Sequence, residues 1–241
     1  MPQELIGVVR SQSALLWSEV DRLRELFVCH YDRVDPEAFD SDLREKDWVL
    51  ELRDRRGTIR GFTTMKLYDQ IVGGRRVRAV FSGNTIIDPA FWGEQALVRT
   101  FCRFMAQLKH AEPQLPLYWY LICSGYRTYM FLPLFFRRFY PHFQEPAPVE
   151  QELAEHFGRL KFPDEYRDGV VHVLEPRECL RSELAEPPES KLRNPHVRYF
   201  LETNSGYRRG NELVCMAEFS LDNNRRTAHQ ALLDAAGGLA C

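Results

Sequence analysis

The stretch of residues 81–105 constrains the fold most, because its sequence changes from strand-like to helical within a few positions. Its first part, FSGNTII, is rich in apolar and β-branched residues, Asp88-Pro89 interrupts it, and Gly93 follows. From Leu97 onward, apolar residues recur every three or four positions, which predicts an amphipathic helix to about His110. The chain must therefore pass from a strand through a tight turn directly into a long helix.

Strand-like sequence lies on both sides of this segment. Upstream, DWVLELRD, TIRGFTTMKLYDQI and RVRAVFSGNTII predict three antiparallel strands, because turn-forming residues separate them at positions 54–57 and at Gly73-Gly74. Downstream, LYWYLICS is a continuous apolar run of strand length, typical of a strand that is buried on both faces. Since a strand, a helix and a strand follow one another, we predict that this strand pairs in parallel with the strand that ends at Ile87.

Helices are predicted before and after this sheet. Ser13 can cap a helix that runs to Phe27, a second helix covers residues 36–46, and an apolar helix with Pro133 in its middle follows the parallel strand. Farther on, QEPAPVEQ indicates a linker that leads into the polar helix VEQELAEHFGRL. GVVHVLE, HVRYFLET and ELVCMAEFS predict further strands, the last two joined by a turn-rich loop.

Composition and charge exclude several classes of protein. The 241 residues, 44% of them hydrophobic, can bury a sizeable core, and a formal charge of −2 without blocks of like charge does not indicate nucleic-acid or membrane binding. The longest apolar run, residues 130–136, is too short to span a bilayer, and the first residues lack a signal-peptide core, so we expect a cytoplasmic protein. The six cysteines lack metal-ligand spacing, and no metal site is predicted.

The turn after the strand can bind an anion. A strand that leads directly into a helix points unpaired backbone N–H groups outward at the helix start, where the helix dipole also favours negative charge. Here the donors would be the N–H groups of residues 92–96, and Gly93 lets the backbone approach a ligand closely. The same sequence also fits a plain strand-to-helix connection that binds nothing.

In its order of elements, and in the turn Ala90-Phe91-Trp92-Gly93-Glu94-Gln95-Ala96, the chain resembles the GNAT superfamily of N-acyltransferases over residues 5–143. In that family this turn holds the pyrophosphate of coenzyme A, although Gln95 replaces the usual second small residue here. The resemblance implies an α/β fold of the α+β type, with a central mixed, mostly antiparallel sheet flanked by helices on both faces. It also implies a core over residues 1–145 and a C-terminal extension over residues 146–241, whose polar helix and strands complete or extend the sheet.

The resemblance further implies where the donor would bind. In the family, the acyl group of the thioester lies in a gap where the strand before the turn diverges from the next strand. The implied donor is acyl-CoA, with no metal. The implied cofactor-binding residues are the end of the strand and the turn: Ile86, Ile87, Trp92, Gly93, Glu94, Gln95 and Ala96.

Chemistry in N-acyl transfer needs a base for the amine proton and often an acid for the departing thiolate. Many family members use a tyrosine in the helix after the parallel strand, but Phe136 falls on that position here. Tyr129, earlier in the same helix, is the candidate, although a core role fits an aromatic residue there equally. Ser82 and Asn84 alternate on one face of the strand, where they would either contact the substrate or be ordinary polar residues of an exposed face.

The resulting prediction is an enzyme that transfers an acyl group from acyl-CoA to a small-molecule amine by direct attack in a ternary complex. Two alternatives stay open: an N-acyl synthase whose donor is an acyl carrier protein, and a GNAT-like domain that binds a ligand or partner without catalysis. The second alternative is motivated by Phe136 at the position of the usual tyrosine and by the turn, which lacks the usual second small residue. The sequence leaves the acceptor, the acyl chain length and the formation of a homodimer undecided.

Overall fold

A computed structural model describes residues 4–175 and 177–237 of the chain. Its strands form one eight-stranded sheet and, from β2 and β9, a separate two-stranded pair. The strands are β1 (Ile6–Ser11), β2 (Tyr31–Asp32), β3 (Trp48–Arg53), β4 (Ile59–Val72), β5 (Arg75–Ile87), β6 (Leu117–Cys123), β7 (Tyr166–Arg167), β8 (Val170–Val171), β9 (Cys179–Leu180) and β10 (Glu212–Glu218).

The helices lie between these strands and after them. The longest, α3, follows the turn after β5, as the apolar period of its sequence predicts. The helices are α1 (Trp17–His30), α2 (Pro36–Arg44), α3 (Ala96–Ala111), α4 (Tyr126–Tyr129), α5 (Phe131–Phe135), α6 (Pro148–Lys161), α7 (Ser182–Ala185), α8 (Glu189–Leu192), α9 (Pro195–Thr203) and α10 (Arg226–Gly237).

The large sheet has the order β1-β3-β4-β5-β6-β10-β8-β7. Its neighbours are antiparallel except β5 and β6, which are parallel, so the predicted parallel pairing is confirmed. The long hairpin of β4 and β5 turns at Gly73 and Gly74, whose φ angles of 56° and 77° suit glycine. The fold is the mixed, mostly antiparallel α/β arrangement that the sequence predicts.

Helices cover both faces of the sheet. On one face, α3 and α10 pack against each other and, with α4, α5 and α9, join the core around Val80 and Trp119. On the other face, α6 covers the β5 and β6 residues Phe81 and Tyr120, while α1 and α2 cover the β4 end of the sheet. Alternate residues of β6 thus face two cores, which explains its continuous apolar sequence.

The C-terminal part of the chain reaches the middle of the sheet. Strand β10 lies antiparallel beside β6, with Leu213 opposite Cys123, and β8 and β7 continue the sheet beyond it. Residues after 145 therefore complete the sheet, whereas a division into a core and an extension remains a prediction. Among the described residues, none of the helices has the length and apolar character to cross a bilayer.

Several sequence-based predictions of secondary structure are wrong. HVRYFLET is not a strand but lies in α9, because Asn194 accepts a hydrogen bond from the His196 N–H and Pro195 starts the helix. The predicted apolar helix around Pro133 is two short helices, α4 and α5, and ends at Phe135. Strand β1 was not predicted, and α1 begins at Trp17 rather than after Ser13.

Candidate functional site

The parallel strands β5 and β6 separate toward their C-terminal ends. They are paired from Arg78 opposite Leu117 to Ser82 opposite Leu121. Beyond that point β5 continues to Ile87 and β6 to Cys123 without pairing with each other. We call the unpaired part, residues 83–87 and 122–123, the open end of the β5–β6 pair. The sheet therefore has a gap in its middle, where β5 has no strand paired with it on the side of β6 among the described residues, and where its last carbonyl, that of Ile87, is contacted by the side chains of His30 and Trp92.

A β-bulge bends β5 where the open end begins. One extra residue of β5 lies between the pairs Phe62–Ile86 and Thr64–Gly83. Asn84 has a φ of 49°, a conformation that asparagine tolerates better than most residues. Its Nδ2 donates to Asp42 Oδ2 at 3.0 Å. The bulge is thus fixed by a side chain of α2.

The turn after β5 is built as a short helical turn followed by glycine. The Asp88 carboxylate accepts a hydrogen bond from the Ala90 N–H at 3.0 Å, and Gly93 has a φ of 96°. A Cβ atom added at Gly93 would meet no atom within 4 Å, so the backbone is open to an incoming group on that side. This geometry explains why glycine occupies the position.

The N–H groups without an acceptor among the described residues coincide only in part with the predicted residues 92–96: those of Gly93, Gln95 and Ala96 remain, and the next two residues of the helix add theirs. The N–H groups of Trp92 and Glu94 donate within the turn, to Pro89 O at 3.3 Å and Phe91 O at 3.2 Å. The first hydrogen bond of α3 joins Arg99 N–H to the Gln95 carbonyl at 2.9 Å. The N–H groups of residues 96–98 therefore have no acceptor in the helix, and the helix dipole makes this end positive.

A cavity of about 550 Å³, here called the turn cavity, lies between this helix start, the open end and α4. The structure brings six of the seven predicted cofactor-binding residues to its wall: Ile86, Ile87, Trp92, Gly93, Glu94 and Gln95. Ala96, the seventh, is buried in the core, so only its backbone N–H lies at the helix start. Their role in binding coenzyme A stays a prediction.

Two arginines add positive charge to the turn cavity. The Arg127 guanidinium lies 4.9 Å from the centre of the Trp92 ring and donates to the Leu184 carbonyl. Arg226, the first residue of α10, also lines the cavity. Together with the start of α3, they make this wall suitable for an anionic group.

A second cavity, of about 230 Å³, lies on the other side of the open end, and we call it the carboxylate cavity. Asp35, Asp42, Glu178 and Glu212 contribute acidic side chains to it, and Lys161 and Arg177 contribute basic ones. It shares four lining residues with the turn cavity: Tyr31, Thr85, Ser124 and Thr128. The two cavities therefore meet at the open end of the β5–β6 pair.

Glu212 is the titratable group best placed for proton transfer, and the sequence did not indicate it. Its Oε1 accepts a hydrogen bond from Ser124 Oγ at 2.6 Å. Burial raises the pKa of this carboxyl to about 7, although the Ser124 hydroxyl and Arg177 act in the opposite direction. A carboxyl with this pKa exchanges protons near neutral pH, which suits a general base.

Tyr31 stands beside Ser124, where the two cavities meet. Burial raises the pKa of its hydroxyl well above the usual range, and nearby Glu212 and Glu178 act in the same direction. The hydroxyl therefore stays protonated and can donate a hydrogen bond. Its ring stacks on Phe27 with centroids 4.4 Å apart, which fixes its orientation.

The three residues predicted for catalysis have different surroundings. Ser82 and Asn84 both line the carboxylate cavity, but Ser82 is buried and its Oγ accepts a hydrogen bond from Trp119 Nε1 at 2.8 Å. Tyr129 has no exposed surface and lines neither cavity; its hydroxyl donates to Pro141 O at 2.9 Å. Burial raises its pKa well above the usual range. These contacts are those of a core tyrosine, and Phe136 is also buried.

Comparison with known proteins finds distant likeness of fold only. No protein-family model and no curated protein sequence matches the chain. Among solved structures, a probable N-acyltransferase from Enterococcus faecalis V583 is similar at TM-score 0.41 and 14% identity, over 55% of this chain and 33% of that one. The GNAT family N-acetyltransferase YhbS from Escherichia coli, in complex with CoA, is similar at TM-score 0.37 and 16% identity, over 54% and 70%.

A third similar structure is Saccharomyces cerevisiae N-myristoyltransferase with bound myristoyl-CoA, at TM-score 0.38 and 12% identity, over 52% of this chain and 32% of that one. This chain thus spans about a third of the yeast and Enterococcus proteins. Likeness this distant carries no argument about chemistry. The fold assignment rests on the topology described above: the antiparallel strands β3, β4 and β5, the turn from β5 into α3, and the parallel strand β6 follow the order of elements that the resemblance to the GNAT superfamily implies.

Proposed function

We propose that this chain is an acyl-CoA-dependent N-acyltransferase and a divergent member of the GNAT superfamily, which moves an acyl group to an amine by direct attack in a ternary complex. The observation that carries the proposal is the open end of the β5–β6 pair. A cavity with free helix N–H groups lies on one side of it, and a cavity with a carboxyl of raised pKa lies on the other. Two substrates could therefore meet inside the sheet.

The turn cavity suits the donor. The N–H groups of residues 96–98 and the open backbone at Gly93 fit a diphosphate, and Arg127 and Arg226 add charge for further phosphate oxygens. Acyl-CoA would supply an activated thioester at the open end. The unpaired backbone edge of residues 83–87 would orient that thioester between the strands.

The carboxylate cavity suits the acceptor. We assign Glu212 as the base that takes a proton from the amine, because its carboxyl lines the carboxylate cavity, is hydrogen-bonded to Ser124 where the two cavities meet, and titrates near neutral pH. Ser124 holds the carboxyl through its hydrogen bond. As the amine nitrogen bonds to the acyl carbon and the carbon–sulfur bond breaks, the Tyr31 hydroxyl can donate a hydrogen bond to the departing thiolate, and the proton that Glu212 took from the amine can then pass to the sulfur. Tyr129, packed in the core, has no part in this scheme.

Calorimetric titration with coenzyme A and acetyl-CoA tests the donor site. We expect both to bind, and Gly93→Trp to weaken binding at least a hundredfold, because the indole would fill the space over the turn. Gly74→Trp is the matched control: Gly74 also has a positive φ, of 77°, and a Cβ there meets no atom within 4 Å. Both variants carry similar backbone strain, so a loss confined to Gly93→Trp reports on the site.

Wild-type protein that ignores coenzyme A and every acyl-CoA tested would refute the proposal. Binding without product across a panel of amines would instead support the alternative of a GNAT-like binding domain. Turnover with an acylated carrier protein, but not with the matching acyl-CoA, would support the alternative of a carrier-protein-dependent synthase.

A further inference from the structure

A third cavity, of about 30 Å³, opens from the turn cavity into the core, and we call it the aromatic cavity. Six residues line both: Thr85, Leu97, Val98, Thr128, Phe131 and Phe135. The deeper wall consists mainly of aromatic side chains from α3, from β6 and from the residues that follow α5 and β10: Phe101, Trp119, Phe136 and Phe219, together with Cys102. None of these deeper residues lines the turn cavity.

The aromatic cavity is largely apolar, because most of its lining is aromatic or aliphatic and three of its four hydroxyl groups are paired within the wall. Ser82 Oγ accepts the Trp119 Nε1 proton at 2.8 Å. Thr63 Oγ1 donates to the Gly83 carbonyl at 3.2 Å and lies 2.9 Å from Thr85 Oγ1. A cavity with so few free donors or acceptors holds water poorly and favours an apolar group.

The position of this cavity relates it to the reacting centre. Thr85 and Thr128 line all three cavities, so the three meet at one place, the open end of the β5–β6 pair. In the proposed function, the thioester lies there, with the rest of the donor in the turn cavity and the amine in the carboxylate cavity. The aromatic cavity is then the space into which the acyl chain can continue without blocking the amine.

The volume of the aromatic cavity limits the length of the acyl chain that can enter it. A space of about 30 Å³ holds roughly two groups of the size of a water molecule, and a methylene group is of similar size. We infer that the donor carries an apolar acyl chain of about four or five carbons rather than acetyl, with its end in the aromatic cavity. This inference rests on the proposed function and specifies the donor.

A binding series tests the inference without requiring turnover. The Kd values of coenzyme A and of its acetyl, butyryl, hexanoyl and octanoyl thioesters are measured by calorimetry on the full chain. We expect each added methylene to tighten binding by about threefold up to four or five carbons, because it leaves water for an apolar site, and no further gain beyond.

Two variants connect the length preference to the cavity. Cys102→Met fills part of the aromatic cavity and should move the preferred chain to two or three carbons. Phe136→Leu enlarges it and should move the preference to six or more. Cys215→Met is the matched control, since Cys215 is buried as well but does not line the cavity. Thermal unfolding checks that each variant is folded. A result from either Cys102→Met or Phe136→Leu is enough to test the inference, so the test does not depend on both variants folding.

The outcomes separate this inference from the proposed function. Binding of coenzyme A with equal Kd values for the acetyl and butyryl thioesters would overturn the inference and leave the proposed function standing. A gain with chain length that neither Cys102→Met nor Phe136→Leu shifts would also overturn it, because the chain would then lie elsewhere. Absence of binding by coenzyme A and all its thioesters would overturn both.

Discussion

The same two strands form a closed region and an open one, which differ in what they bury. Where β5 and β6 are paired, Phe81, Tyr120 and Leu121 are at most 1% exposed. At the open end, Asn84 and Thr85 are less buried and line cavities, as does Ser124, the residue that follows β6. The closed region supplies core packing, and the open end supplies polar groups and unpaired backbone. The comparison shows how one sheet can anchor a site and leave room for it.

The physical cause of the difference lies in the neighbouring strands. On one side, the bulge at Asn84 bends β5 while keeping it paired with β4. On the other side, β6 remains paired with β10 as far as Cys123. Each strand therefore follows its outer neighbour, and the two separate from each other. The gap forms although β5 keeps its pairing with β4 and β6 keeps its pairing with β10.

Glu212→Gln should produce the largest effect at the open end. If Glu212 is the base, kcat/KM should fall by about 10² to 10⁴-fold, because the amide cannot accept the proton. The wild-type kcat/KM should rise with pH around an apparent pKa near 7, and the variant should not show this rise. A pH profile with the best acyl-CoA measures both, with Glu189→Gln in α8 as an exposed control. An unchanged profile would remove Glu212 from the mechanism.

Replacing neighbouring residues of β6 tests the closed region against the open one. Leu121, the last residue paired with β5, is fully buried, and Leu121→Ala should lower the free energy of unfolding by about 2 to 5 kcal/mol. Ile122 is the first residue past the pairing and is partly exposed in the carboxylate cavity. Ile122→Ala should cost clearly less. Urea denaturation of both variants measures the difference, and equal losses would contradict the contrast.

Glu212 should also weaken the fold above neutral pH. Its folded pKa of about 7 exceeds the usual 4.5, so the folded state binds more protons than the unfolded state between these values. The stabilisation this gives is complete below about 4.5 and is lost as pH rises through 7. Glu212→Gln should therefore be more stable than wild type by roughly 2 kcal/mol at pH 8 and about equal at pH 4. Equal stability at pH 8 would contradict the raised pKa.

Asn84 gives the smallest expected effect, at the boundary between the two regions. Asn84→Gly removes the hydrogen bond to Asp42 but relieves the positive φ, so stability should change by no more than about 1 kcal/mol. Asn84→Ala removes the bond and keeps the strain, and it should cost about 2 kcal/mol. Chemical denaturation distinguishes the two. A glycine variant as unstable as the alanine variant would mean that the amide alone holds the bulge.

The candidate site shows where reasoning from sequence fails. ELVCMAEFS is correctly predicted as a strand, but nothing in it shows that Glu212 lies opposite Ser124, 88 positions earlier in the chain. That neighbour is set by the register of β10 on β6. For Tyr129, the position in the predicted helix suggested a catalytic hydroxyl, but the structure packs this side chain against Phe200 in the core.

Local patterns in the sequence determined the order of elements: the β4–β5 hairpin at Gly73-Gly74, the turn after β5, the amphipathic α3 and a β6 buried on both faces. These follow from periodicity and turn chemistry, which act between residues close in the chain. Only the tertiary structure decided that β5 and β6 separate and that Glu212, Ser124 and Tyr31 meet at the gap. Such juxtapositions depend on strand register and on burial, and both are fixed by contacts between residues far apart in sequence.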